Sequence, residues 1–470
     1  MQSKNILEEI MDLIISNIPS KAIEIDSNGK RVKTSPLQYV QYILKNQKIP
    51  IIAYNRRLWA YSDGMYHSFQ DDEKTEFFIK RCIQKINNST LVDVATVKSV
   101  LSEFLSEYYD LKPYQEKEMT YINMQNAVLA IHKNGTLEHL PHDQKYNFTY
   151  KLFYDYDENA QAPIFKKFLD TSVVDTDLIN VIGEFLGFIL DKNAKKHEKC
   201  LFLLGDGSNG KSTLINIIKA LFGYENISTV ELSEMSNPQN IPQMDSKLLN
   251  ISADASSKGL DTAIFKKLIT GEPIQGKKVF KNPISIENLP KQIVAMNKLP
   301  YNGGDNSYGF YRRLLIIPFL TRIEEKNKDY DLETKIVSHE LPAILNFAID
   351  GMLRLKNQGH FTNAEAMNTT LKVYKESSNY VEIFIDEEQY IAVDDSTKKG
   401  TSMVCLYDHF KTWCTSLGYN PHSATYLANE LTRLGYISYK NSTKHFRLIK
   451  TKLQNETGFS PLDEKEDDYS

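Results

Sequence analysis

Cysteine is scarce in this chain. Cys82, Cys200, Cys405 and Cys414 are the only four in 470 residues, and no two form a CxxC pair. That spacing argues against a zinc ribbon and against a disulfide framework, and makes a reducing, cytoplasmic setting the default. Long apolar runs are missing too. No stretch reaches the roughly 18 residues that a membrane helix needs, so no membrane association is expected. The amino terminus, MQSKNILEEIMDLIISNIPSK, alternates charged and apolar residues and has no signal-peptide core. There is no internal repeat, and the only low-complexity stretch is the acidic tail.

What is present describes a soluble globular chain of about three domains, at 41 % hydrophobic and 25 % charged residues with a mean hydropathy of −0.41. The net charge of −4 hides an uneven distribution. Residues after Lys452 carry a net −5, so the remaining body stands at +1. Between Lys440 and Lys452 there are five basic residues and no acid. A basic patch beside an acidic tail is compatible with a nucleic-acid partner, and overall charge does not decide the matter.

The pattern of apolar residues predicts helices over 5–17 and 37–44, with a turn near Asn28-Gly29 between them. A β-like run over 49–69 is broken at Asp63-Gly64, a hairpin signal, and helices are expected over 74–86 and 92–109. Residues 124–156 read as strand-rich, with a turn at Asn134-Gly135. From Ala162 to Leu190 the spacing of Phe165, Phe168, Leu169, Ile179, Ile182, Phe185 and Leu186 is helical and marks them as core. The charged connector DKNAKKHEK then precedes the apolar strand CLFLLG, and a domain boundary is placed there.

Cys200–Leu204 reads as a buried strand and Ser212–Phe222 as a helix. Between them Gly205-Asp206-Gly207-Ser208-Asn209-Gly210-Lys211-Ser212-Thr213 satisfies G-x-x-x-x-G-K-[ST] in the strand–loop–helix context the motif requires. Glycines let successive backbone N–H groups wrap phosphates at a helix N-terminus, where the dipole also favours negative charge. Lys211 reaches β and γ phosphates, and the Ser212 hydroxyl joins a Mg2+ shell. The same letters spell G-x-G-x-x-G, with Glu231 downstream at a distance suited to a ribose. A dinucleotide site, however, has no use for Lys-Ser directly after the third glycine. The pattern indicates a nucleoside triphosphatase that uses ATP and Mg2+.

Such an enzyme needs an acid on a neighbouring strand. Residues 247–253 form a strand candidate ending at Asp254, which is assigned to the metal shell with Ser212; a helix-capping aspartate is the alternative. The next strand candidate, 292–296, ends in Asn297, whose amide suits orienting water or sensing the γ phosphate. Arg312 and Arg313 precede a strand over 314–318, and an arginine there can stabilise charge on the γ phosphate from an adjacent subunit.

Together GDGSNGKSTL, the Asp254 strand, FKKLITGEPIQGKKVFKNPISI, QIVAMNKLP and DNSYGFYRRLLIIPF resemble a superfamily 3 helicase of the poxvirus and phage/plasmid primase-helicase branch. The resemblance covers roughly residues 55–390. It implies an AAA+-like ATPase that forms a hexameric ring around DNA and moves 3′ to 5′. It assigns 205–212 to the Walker A loop, Asp254 to Walker B, Asn297 to sensor 1 and Arg313 to the trans-acting finger, with Arg312 the nearest alternative. Members often carry a second acid beside the Walker B aspartate. Ala253 and Ala255 flank it here, leaving the water-polarising residue open. The segment 276–282 is similar to the family's DNA-facing hairpin: Lys277, Lys278 and Lys281 would track phosphates, and Phe280 would pack against sugar or base.

At the carboxyl end, helices over 403–417 and 423–434 and two strands over 436–439 and 444–449 follow a winged-helix order. Thr425, Asn429 and Arg433 would face a major groove, and Lys440, Lys444 and Arg447 would form the wing. A protein-contact surface is the alternative. Asp155 and Asp157 are the only obvious pair for a two-metal primase, and His139 and His142 lack the spacing of a nicking initiator. Neither activity is expected.

The fold expected is therefore multidomain α/β: an AAA+-like P-loop ATPase core with an α+β N-terminal region and a C-terminal winged helix. Its parts are a helical segment (1–55), an α+β pre-helicase domain (56–195), the ATPase core (196–322), a helical lid (323–395), the winged helix (396–455) and an acidic, disordered tail (456–470). The function expected is a replicative helicase and initiator of a phage, plasmid or phage-related island in a bacterial cytoplasm. An origin-melting switch without processive unwinding is the alternative. Single-stranded, forked and origin DNA, a second copy of the chain and a separate primase are the partners called.

Overall fold

The computed structural model describes residues 3–21, 27–28, 32–69, 72–106, 119–191, 194–253, 260–277, 283–287, 289–300, 307–377, 380–393, 400–416, 421–440 and 443–450. Gly29, Asp254, Lys278, Phe280, Lys281, Asn282, the Asn441-Ser442 turn and the acidic tail lie outside these residues. Two compact units emerge, the first made of 1–301 and 307–372, the second chiefly of 373–470. No helix among the described residues is long and apolar enough to cross a membrane.

The first unit opens with helices Ser3–Asn17, Pro36–Asn46, Asp72–Asn87 and Val94–Ser106 around the antiparallel strands Ile51–Tyr54, Arg57–Ser62 and Met65–Ser68. Ser35 and Gln38 form a reciprocal capping box ahead of Pro36, fixing where the second helix begins. Ile14, Ile43, Phe78, Ile83 and Phe104 share one core. A second antiparallel sheet, Met119–Asn123, Val128–His132 and Leu137–Leu140, follows in sequential order. The strand-rich reading of 124–156 holds only to Leu140. Beyond it, a single bridge ties Met124 to Leu152 among the described residues. There Tyr146, Phe148 and Tyr150 bury their rings against one another at 5.9 and 5.4 Å instead of extending a ladder.

The helical run over 162–190 is two helices, Pro163–Ser172 and Thr176–Leu190. Asp175 breaks the run by accepting the Asp177 and Leu178 amides as N-cap of the second. The residues singled out as core are buried in both, with Ile179 packed at the margin. Helix Thr176–Leu190 lies so close to Leu341–Gln358 that a Cβ on Gly351 would sit 2.2 Å from the Gly183 carbonyl carbon. Glu340 caps the first helix at long range: its Oε1 accepts Ile164 N at 2.9 Å and its Oε2 accepts Phe165 N at 2.7 Å.

At the centre is a five-stranded sheet in the order Leu314–Pro318, Cys200–Leu204, Lys291–Met296, Leu249–Ser252 and Ile227–Ser228, every pairing parallel. Leu314–Pro318 and Cys200–Leu204 are short, wholly buried or nearly buried apolar runs, whereas Leu249–Ser252 also buries the polar Asn250 and Ser252. Leu201, Leu203, Ile251, Ile293 and Ile317 share a core with Leu214, Ile215 and Ile218 of helix Lys211–Phe222. On the opposite face Phe202 meets Phe265 of helix Thr262–Thr270, which meets Phe310 in turn.

In the second unit, helices Tyr380–Glu387, Met403–Ser416 and Ala424–Arg433 pack Phe384, Leu406, Phe410, Leu427 and Leu431 inward. Strand Lys444–Phe446 lies between Ser438–Lys440 and Thr401–Ser402, while Leu448–Lys450 pairs with Tyr390–Ala392. The single strand expected over 444–449 is thus two. The chain changes partners at Arg447, whose N–H donates to Ile437 O and whose carbonyl accepts Val393 N.

Candidate nucleotide-binding site

The loop 205–210 leaves the sheet at the carboxyl end of Cys200–Leu204 and enters helix Lys211–Phe222 through Gly210. Three neighbours hold its backbone. Gly205 N donates to Met296 O at 3.2 Å, Phe319 N to Leu204 O at 2.7 Å, and Ile323 N to Ser208 O at 2.8 Å. The buried Asn209 donates its Nδ2 to Phe319 O at 3.1 Å. A Cβ on Gly205 would lie 2.3 Å from that nitrogen, and one on Gly210 would lie 2.7 Å from Ser172 Oγ. Gly207 and Gly210 also take φ of +99° and +92°, which glycine adopts without strain. Ser208 takes φ of +49° in the same turn.

Lys211 is buried, donating its Nζ to Gly205 O and, at 3.2 Å, to Asn209 Oδ1. Asp206, Ser208 and Ser212 are exposed, Thr213 partly so. Among the described residues no side chain caps this helix, so the first N–H groups, at the positive end of the dipole, lack a capping acceptor there. A glycine-lined approach, an uncapped helix start and a lysine folded along the loop are a donor set that fits a polyphosphate, with Ser212 available to its counter-cation.

Asn297 is exposed and directly follows Met296, the residue that accepts Gly205 N. Asp254 lies outside the described residues; its strand ends at Ser252. There Ser252 Oγ donates to Glu231 Oε2 at 2.7 Å and accepts Leu232 N at 2.9 Å. Asn250 laces the same edge, accepting Val230 N at 2.9 Å and donating to Val230 O at 2.9 Å. Glu231, which the sequence suggests only as a ribose partner in the rejected dinucleotide reading, is therefore a carboxylate held at the carboxyl end of the Asp254 strand.

Arg312 and Arg313 sit at the other end of the sheet. Leu314 pairs with Cys200 and Pro318 with Leu204, so the arginines precede the strand whose far end meets the loop. Both donate to Glu198 Oε2, Arg313 at 3.0 Å, and Arg313 also donates to Gly309 O. The Arg313 side chain is 9 % exposed and that of Arg312 is 35 % exposed. Lys199 Nζ donates to Arg312 O at 2.5 Å, and burial, with Arg312 beside it, holds the ammonium below the usual lysine range. Glu198, in a connector read only as a boundary, organises this corner.

Of the residues expected to face DNA, Lys277 is exposed just past Ile274–Gly276, which pairs antiparallel with Ile284–Ile286. In the second unit Lys440 and Lys444 face each other across a strand pair and are exposed, while Arg447 lies 5.4 Å over the Tyr439 ring. Thr425, Asn429 and Arg433 are exposed on one helix.

Two family models match the chain: D5 N terminal like over residues 43–174, and a family of unknown function (DUF5906) over 203–313. "Putative helicase L207/L206" of Acanthamoeba polyphaga mimivirus is 23 % identical over 368 residues, covering 72 % of this chain. The match covers 37 % of that protein's length. Among solved structures, the A form apo structure of the NrS-1 C terminal region covers 90 % of this chain and 100 % of its own, at 14 % identity and a TM-score of 0.47. A second apo structure of that region has the same coverage and identity with a TM-score of 0.45. The D5 N-terminal-like match and the mimivirus relative together support a relationship to primase-helicase proteins.

Proposed function

We propose that this chain is an ATP-dependent DNA helicase that initiates replication of a mobile element such as a phage, plasmid or phage-related island. ATP would bind at 205–213, with Lys211 on the β and γ phosphates. A magnesium ion held by Ser212 and Asp254 would neutralise phosphate charge. Asn297 is placed after the strand beside the loop to orient water. Glu231 supplies the carboxylate that the alanines flanking Asp254 do not: it takes a proton from the attacking water while the β–γ bridging oxygen leaves with its electron pair.

One observation carries the reading. Arg313 precedes Leu314, which pairs with Cys200, and the loop follows Leu204, which pairs with Pro318. The two thus occupy opposite ends of adjacent parallel strands, six residues apart in register, or roughly 20 Å at the usual rise. The arginines are thus poorly placed to serve their own loop and well placed to serve that of a neighbouring copy. This supports shared sites in a ring, hexameric by the family resemblance and moving 3′ to 5′. The lysines of 277–281 would follow one strand through the ring, and the second unit, as a winged helix with Lys440, Lys444 and Arg447 on its wing, would hold origin DNA. Mixing Arg313→Ala protein with Lys211→Ala protein tests this: composite sites should restore part of the turnover, and no recovery from assembled mixtures would exclude shared sites.

A further inference from the structure

Ser172, 1 % exposed, ends helix Pro163–Ser172, and its hydroxyl has no hydrogen-bond partner among the described residues. A buried helical hydroxyl ordinarily turns back to the carbonyl four residues earlier. Its neighbour does so: Thr171 Oγ1 donates to Lys167 O at 2.7 Å. Ser172 Oγ is instead aimed at the phosphate-binding loop, 2.7 Å from the position a Cβ on Gly210 would take. It therefore lies within roughly 4 Å of the Gly210 Cα, one carbon–carbon bond further on. Phe168 fills the rest of that space, its Cε2 3.0 Å from the same position. The helix is fixed at its other end by Glu340, so Ser172 is held at a set place against the loop.

A hydroxyl offers one donor, and a buried donor is costly to leave unmade. Phosphate oxygens gathered at the Gly210 and Lys211 amides would come within its reach. We propose that Ser172 is a nucleotide-binding residue whose hydroxyl donates to a phosphate oxygen at the Gly210 end of the loop. This rests on the reading of 205–213 as the ATP site. It adds to that site a donor from outside the motif, on the element that precedes the ATPase core. The hydroxyl would thereby link occupancy of the loop to the helix capped by Glu340.

The test compares the full chain with Ser172→Ala and Lys211→Ala by calorimetric titration of MgATP, MgADP and magnesium tripolyphosphate, with melting of each protein alone. Loss of one charge-assisted hydrogen bond should weaken all three ligands about 10-fold or more for Ser172→Ala, with no drop in the melting temperature of the protein alone. Affinity for MgATP within two-fold of the parent chain would overturn the assignment. So would a lower melting temperature without ligand, because the hydroxyl would then have a partner in the protein. Weakened ATP and ADP with unchanged tripolyphosphate would overturn it as well, placing the hydroxyl against the sugar. If Lys211→Ala binds all three ligands like the parent chain, the ATP-site reading itself fails; if only Lys211→Ala loses binding, that reading stands and the role of Ser172 alone is wrong.

Discussion

Arg313 Nη2 lies 3.0 Å from Glu198 Oε2, the same oxygen that accepts from Arg312. The two arginines share an acid but differ in exposure, and this separates their expected behaviour. Arg313→Ala leaves Glu198 short of its more buried partner and should cost about 2–3 kcal/mol in urea unfolding as well as turnover. Arg312→Ala, at a more exposed guanidinium, should leave stability within about 0.5 kcal/mol while lowering DNA-stimulated ATP turnover. Equal stability losses in the two variants would contradict this division.

Glu231 is held at the end of the Asp254 strand by Ser252. If its carboxylate polarises the attacking water, Glu231→Gln should slow hydrolysis by about 10²-fold or more while nucleotide affinity changes little. Single-turnover hydrolysis alongside equilibrium titration separates the two effects. Hydrolysis at the parental rate would remove Glu231 from the mechanism.

The crossing of helices Thr176–Leu190 and Leu341–Gln358 depends on the absence of a side chain at Gly351. Gly351→Ala would drive a methyl into the Gly183 backbone, which cannot move aside as a flexible side chain would. A loss of about 3 kcal/mol in unfolding free energy, read as a lowered unfolding midpoint of the first unit, is expected. An unchanged midpoint would mean that the helices are not in contact there.

Burial holds the His67 and His197 imidazoles below the ordinary histidine value of 6.5, with Lys196 and Lys291 adding to the effect at His197. The unfolded chain therefore binds more protons than the folded one as the pH falls below 6.5. Stability should drop on acidification, by at most about 1.4 kcal/mol per pH unit for each group. Urea midpoints at about pH 7.5 and about pH 5.5 measure this, and His197→Gln should shrink the difference. An unaltered difference would assign the acid sensitivity to other groups.

Much of this architecture is legible in the sequence because local signals coincide. The apolar run 200–204, the glycines and the helix beginning at Lys211 name the loop unaided, and the strands ending at Ser252, Met296 and Pro318 lie where their apolar runs predicted. What could not be read is what distant segments supply. Ser172 and Glu198 belong to no motif, and the sequence suggests Glu231 only as a ribose partner in the rejected dinucleotide reading. Each gains its meaning from a partner many residues away, respectively Gly210, the twin arginines and Ser252. Strand partners were equally hidden. Arg447 divides one apolar run because two different strands, at Ile437 and Val393, claim its backbone. The aromatic alternation over 146–150 reads as a strand but is satisfied by tilted and edge-to-face ring contacts.

Under the proposed function, ATP cleavage at Lys211 drives movement along DNA. Strand separation of forked DNA bearing either a 3′ or a 5′ single-stranded arm, with and without ATP, tests it directly. ATP should separate the fork with the 3′ arm, and Lys211→Ala should abolish that separation. Failure to separate either fork, with turnover indifferent to added DNA, would contradict it.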